Sequence, residues 1–223
     1  YSSLTVGVDD TGYDVKFFGA TASAYMLWDE SADSLIVSGT TSTVTAGTSN
    51  YIAGVNAGNS IASGGNYNVA LGDEAGTALT TGDQNVFVGY AAGDAQTTAN
   101  YNTGIGWQAL TTNTSGAQNT AVGMNCLGLV TTGGTNTAVG SNALTAVTTS
   151  SDNTAIGASA GAAITTGGTN CAFGAYALDA CTTGVVNAAF GVNALGAVTD
   201  GGYNSAFGNE AGAAITSGTH NTM

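Results

Sequence analysis

Positive charge is almost absent from this chain. Among 223 residues the only Lys or Arg is Lys16, against 14 acids, for a formal net charge of −13. Nucleic acid and anionic membrane surfaces are gripped by basic patches, so the composition argues against both as partners. Proline is missing altogether, and every residue therefore keeps a backbone N–H able to donate. The three cysteines, Cys126, Cys171 and Cys181, are too few and too scattered for a disulfide framework. No run of about 18 apolar residues exists to insert in a membrane as a helix. His220 is the only histidine. No Ser or Cys stands in register with it to make a triad. The stretch opens at Tyr1 and stops inside a repeated phrase at Met223, which reads as a segment of a longer or processed polypeptide.

What remains is apolar, small and periodic. Hydrophobic residues make up 43% of the chain and Gly contributes 35 positions. The phrase NTAVGSNALTAVTTSSD (136–152) is followed at once by NTAIGASAGAAITTGGT. The opening Asn recurs at Asn68, Asn85, Asn102, Asn119, Asn136, Asn153, Asn170, Asn187, Asn204 and Asn221, always 17 residues apart. Asn50 opens an earlier phrase 18 residues before Asn68. Counting from the Asn, position +4 is Gly72, Gly89, Gly106, Gly123, Gly140, Gly157, Gly174, Gly191 and Gly208. Position +12 is Thr from Thr80 to Thr216. Position +3 is large and apolar: Leu71, Val88, Ile105, Val122, Val139, Ile156, Phe173, Phe190 and Phe207. Position +7 is Ala, with Cys126 once, and +11 is mostly Val, Ile or Leu.

An exact period of this length predicts a solenoid with one coil per repeat. Seventeen residues are too few for a pair of helices and suit a coil of two or three short strands joined by tight corners. The fold class is then all-β, with coils stacked as parallel ladders. Each position becomes a row along the axis. Stacked Asn amides can hydrogen-bond along theirs, and a Gly row allows positive φ or close backbone approach. We expect the +3 row to fill the interior, and the residues two places after Gly, such as Asn142, Ser159 and Asn193, to be exposed. A coil with so few apolar positions has a thin core, which favours lateral association of chains.

The first residues have another texture. DVKFFG (14–19), YMLW (25–28) and LIVSG (35–39) read as strands separated by turn-rich stretches, with LIVSG pairing back on YMLW. We therefore divide the chain into a small antiparallel β-unit (1–39), a polar connector (40–49) and a β-repeat shaft (50–223).

Several local patterns resemble functional motifs and lose to a structural reading. Gly104-Ile105-Gly106-Trp107-Gln108-Ala109 matches a dinucleotide-binding turn, but its residues are repeat positions without the required strand–helix context. The cysteines replace small or apolar repeat residues and read as buried hydrophobes. Asp29, Glu30 and Asp33 could gather a cation, yet a solvated turn favours the same residues. Adjacent Thr pairs (Thr131-Thr132, Thr148-Thr149, Thr165-Thr166) suggest an ice-binding array, but neighbours in a strand face opposite sides. Tyr90, Trp107 and Met124 at +5, with Tyr176 at +6, could touch a glycan or cover a groove between chains. No catalytic, cofactor or metal site is expected, and the chain does not read as an enzyme.

The segment GVDDTGYDVKFFGATASAYMLWDESADSL (7–35) resembles one in tail-fibre and appendage proteins of marine bacteriophages, where it precedes fibrous repeats. The NTAVG-x-x-AL phrase resembles repeats of phage fibres that end in an endosialidase-type chaperone. More distantly, it is similar to the coils of trimeric autotransporter adhesin heads. No chaperone domain is present in these 223 residues, and the 17-residue coil is longer than the adhesin-head coil. The resemblance implies a parallel homotrimer in a virion, a tail or capsid appendage serving host attachment. It also implies other virion proteins and a host surface glycan or protein as partners. A head of a bacterial surface adhesin is the alternative, and an ice-binding β-solenoid the third.

Overall fold

The structure, a computed structural model, describes the backbone of residues 15–18, 25–29 and 34–38 and all of residues 46–223. The turn residues Glu30 and Asp33 and most of the 40–49 connector lie outside the described residues. The chain divides into two units, 1–42 and 43–223. In the first, β1 (Val15–Phe18), β2 (Tyr25–Asp29) and β3 (Ser34–Ser38) pair antiparallel in that order.

The second unit is a parallel β-solenoid, and no helix occurs among the described residues. Its strands are β4 (Tyr51–Ala53), β5 (Val69–Leu71), β6 (Val86–Val88), β7 (Thr103–Ile105), β8 (Thr120–Val122), β9 (Thr137–Val139), β10 (Thr154–Ile156), β11 (Cys171–Phe173), β12 (Ala188–Phe190) and β13 (Ser205–Phe207). They form one ten-stranded sheet in which each strand pairs with the next along the chain. The register is the sequence period itself: Thr137 pairs with Thr154, Ala138 with Ala155, Val139 with Ile156.

Each coil carries one three-residue strand, not the two or three expected from its length. The cause is backbone conformation. Positions +6, +8 and +16 are left-handed in coil after coil, as at Asn142 (φ 57°), Leu144 (φ 49°) and Asp152 (φ 62°). A left-handed residue ends an extended strand. The coils are nevertheless hydrogen-bonded along the axis beyond the strands, as in Asn142 N–H to Met124 O (2.9 Å) and Leu144 N–H to Ala160 O (3.0 Å). Proline's absence follows from this, because a donor is needed at so many positions.

The expected inside and outside are corrected. In a three-residue strand the middle side chain faces one way and its neighbours the other. The middle one, position +2, points inward: Ala121, Ala138 and Ala155 have no exposed surface. The +3 row is therefore on the outer face. Val139 is 36% exposed, Ile156 37% and Phe207 63%, while Phe173 and Phe190 are half-buried by stacking on their neighbours. Asn142, Ser159 and Asn193, expected to be exposed, are half-buried. The core is built from positions +2, +7, +8 and +11, as Ala138, Ala143, Leu144 and Val147 show.

Two of those positions compensate in volume. Where +8 is Leu, +11 is smaller: Leu127 with Val130, Leu144 with Val147, Leu178 with Cys181. Where +8 is Gly, +11 is larger: Gly58 with Ile61, Gly76 with Leu79, Gly161 with Ile164. A Cβ placed on Gly161 would lie 3.0 Å from Ile164 Cδ1 and 2.8 Å from Leu144 Cδ2. The backbone itself accepts Leu, since Leu144 holds a similar positive φ at the same position (49° against 60° at Gly161). Gly161→Leu is therefore expected to overpack the core by about 1–3 kcal/mol. Gly161→Leu with Ile164→Val should recover most of that loss in urea unfolding. Two additive penalties would refute the compensation.

Candidate functional site

The residues singled out by the repeat come together as axial ladders rather than as a pocket. Asn68, Asn85, Asn102, Asn119, Asn136, Asn153, Asn170, Asn187 and Asn204 occupy one buried column. Asn136 shows the pattern. Its Oδ1 accepts from the backbone N–H of Asn153 (3.0 Å) and from Asn153 Nδ2 (3.3 Å). Its Nδ2 donates to Ser150 O across its own coil (3.0 Å) and to Asn119 Oδ1 below (3.1 Å). Only an amide offers acceptor and donors on one short stem. Each Asn thus closes its coil and joins the next.

The +12 threonines form a second ladder, for which the repeat alone suggested no bonding role. Thr114 Oγ1 donates to Thr131 O (3.0 Å), Thr131 Oγ1 to Thr148 O (3.1 Å) and Thr165 Oγ1 to Thr182 O (3.1 Å). The second Thr of each pair, Thr132, Thr149 or Thr166, is exposed. The pairs therefore split between an engaged row and a solvent row.

The Gly row lies at the corner after the strand. Gly72, Gly89, Gly106, Gly123, Gly140, Gly157, Gly174, Gly191 and Gly208 have φ between 123° and 141°, a region open essentially to Gly alone. A Cβ on Gly140 would lie 2.5 Å from Gly157 O and 3.1 Å from Ala158 N. Gly106 thus serves the corner, and the residues after it turn without forming a helix. This removes the strand–helix context that a dinucleotide turn requires.

Sequence reasoning passed over one polar group in the core. Gln96 and Asn113 stand at +11, where other coils are apolar, and both are fully buried. Asn102 Nδ2 (2.8 Å) and Asn113 Nδ2 (3.0 Å) donate to Gln96 Oε1, and Gln96 Nε2 donates to Ala99 O (3.0 Å). The two polar letters in an otherwise apolar row were the available signal. The cluster is closed on itself, and among the described residues no buried side-chain nitrogen or oxygen lacks a partner.

Cys126 and Cys181 are buried and Cys171 is half-buried. Burial pushes the Cys126 thiol up to about 12, against a slight opposing effect of its hydrogen bonding. Burial likewise raises Cys181 and Cys171. Such thiols are poor nucleophiles at neutral pH. The Cys126 value carries a stability consequence. The folded state holds its proton to higher pH than the unfolded state, so this contribution is complete below about 9 and is lost as pH rises toward 12. Cys126→Ala, which installs the residue used at +7 in the other coils, should flatten the decline in stability between pH 9 and 11. Equal slopes in the two proteins would contradict this.

No three His, Cys, Asp or Glu residues converge on a common point among the described residues. His220 stacks on Tyr203 at 4.9 Å, and Tyr90 on Trp107 at 6.4 Å, with both rings of the latter pair about half exposed. Tyr176 and Met124 are exposed as well. The chain matches no family model, no curated protein and no solved structure. What the geometry offers is a stack of coils tied by internal ladders, with one outer face on a ten-stranded parallel sheet.

Proposed function

We propose that the chain is a structural segment of a viral fibre, a phage tail or capsid appendage, working as a rigid spacer that supports host attachment. The observation that carries this reading is the commitment of the repeat's polar residues to axial bonding. The Asn and Thr rows both join coil to coil, and their chemistry is spent on stiffness along one direction. Ten stacked strands give a rod about 45 Å long at roughly 4.8 Å per step. A homotrimer would supply the lateral thickness that one thin coil lacks, and the phage-like 7–35 segment supports a virion location. Other virion proteins and a host surface glycan or protein are the partners of such a part.

Sedimentation of the 223-residue chain, and labelling of particles with an antibody raised against the coils, test the proposal. A trimer and decorated appendages are expected. A stable folded monomer together with unlabelled particles would overturn it. The second reading, the head of a bacterial surface adhesin, is favoured by the exposed Tyr90–Trp107 pair. It predicts labelling of bacterial surfaces instead. The ice-binding reading is weaker, because the +12 hydroxyls are engaged with the next coil and only a single Thr column, Thr132, Thr149 and Thr166, faces solvent.

A further inference from the structure

We infer that the outer face of the ten-stranded sheet is the seam on which a second copy of this chain docks in parallel and in register. Phe173, Phe190 and Phe207 are its anchor. The inference rests on the fibre reading and assigns its assembly to one face.

The face consists of the two outward columns of the strands, +1 and +3. Toward the carboxyl end the columns differ sharply in size. Phe173, Phe190 and Phe207 stack with ring centroids 5.0 Å apart and planes within 7° of each other. Beside them on the same strands stand Cys171, Ala188 and Ser205. A ridge of aromatic rings thus runs alongside a groove floored by small side chains. Phe173 and Phe190 keep part of their rings open to solvent, and Phe207, on the last strand of the sheet, is 63% exposed.

Charge permits a second copy on this face. The chain is strongly acidic, so two copies repel wherever their carboxylates meet. The acids of the coils, such as Asp73 at +5, Asp94 and Asp179 at +9 and Asp152 at +16, avoid both columns of this face. One copy can therefore approach another on this face without carboxylates meeting. Geometry then matches ridge to groove. A rotation axis parallel to the stack sets the +3 column of one copy against the +1 column of the next, because turning the face reverses the left–right order of its columns. The Phe ridge of each chain therefore meets the Cys171–Ala188–Ser205 groove of its neighbour. In a ring of three the same contact recurs at every seam.

Native Cys171 makes the seam testable. Phe173→Cys puts a thiol in the ridge at the level where the neighbour's groove carries Cys171. Oxidation of the full chain with copper phenanthroline should shift F173C into covalent species of two and three chains on non-reducing gels. The unmodified chain, and F173C carrying Cys171→Ser, should stay single. Phe190→Asp should shift the sedimenting species to a monomer with an unchanged circular dichroism spectrum. Val192→Asp, at +5 beside the face, should leave assembly intact. An assembled protein in which F173C does not cross-link, or in which F190D assembles as before, overturns the seam and leaves the fibre reading standing. An unmodified chain that is monomeric overturns both. If F190D fails to fold, the F173C result decides.

Discussion

Gly140→Val is expected to melt the solenoid locally and lower its overall stability by about 2–6 kcal/mol, the sum of a strained backbone and an overpacked contact. Both causes act at one atom. With φ at 130°, Gly140 occupies a region that β-branched residues do not tolerate. Any Cβ there would also press on Gly157 O and C at 2.5 and 2.7 Å. These atoms are backbone in the next coil and are held by the ladder, so no rotamer change relieves the contact. In a stacked array each coil leans only on its neighbours, and one faulty step should divide the stack into two cooperative blocks. Hydrogen exchange should show protection lost around residues 137–160 and kept toward both ends. Gly168→Ala is the control. Its position, +15, already carries Ala117 and Val185 in other coils, so its effect should stay within about 1 kcal/mol. Comparable losses for the two variants would show that the +4 corner is not special.

Asn136→Leu should be nearly as harmful, although it adds apolar volume to a buried site. The substitution deprives the Asn153 N–H and Ser150 O of their partners at once. Each buried group left unpaired costs about 1–3 kcal/mol, giving a loss of about 2–5 kcal/mol in urea unfolding. Asn136→Asp keeps the acceptor but loses the donors, leaving carboxylate oxygens against Ser150 O and Asn119 Oδ1. Its carboxyl should titrate above the usual range in the folded state. That variant should be least destabilised in acid and lose stability as pH rises through the raised value. A leucine variant as stable as the parent would mean that the column is decorative.

Much of the architecture was legible before any coordinate. An uninterrupted spacing of 17 leaves one way to stack coils, and the pairing of Thr137 with Thr154 repeats that spacing. Asn and Gly were legible as rows because each supplies something no other residue does there: an amide with both hydrogen-bonding senses, and a backbone free to take φ near 130°. The inward and outward faces were not legible. Val139, Ile156 and Phe207 looked like core because they are the largest apolar residues of their phrases, and they stand on the outer sheet face. In so short a strand the choice of face depends on where the corners fall. The corners are set by left-handed residues at +6, +8 and +16, and these are written with ordinary letters, Leu144 and Val186 among them. Nothing about Leu or Val announces a positive φ. The +8 and +11 pairing was likewise printed in the letters, but its meaning needed the contact between Gly161 and Ile164 to be seen. The repeat thus determined by itself the period, the parallel register and the Asn and Gly rows, because these follow from identity at fixed spacing. Tertiary structure decided which side of each strand is core, because the backbone turns that aim the side chains are stabilised by the neighbouring coils rather than by the residues that make them.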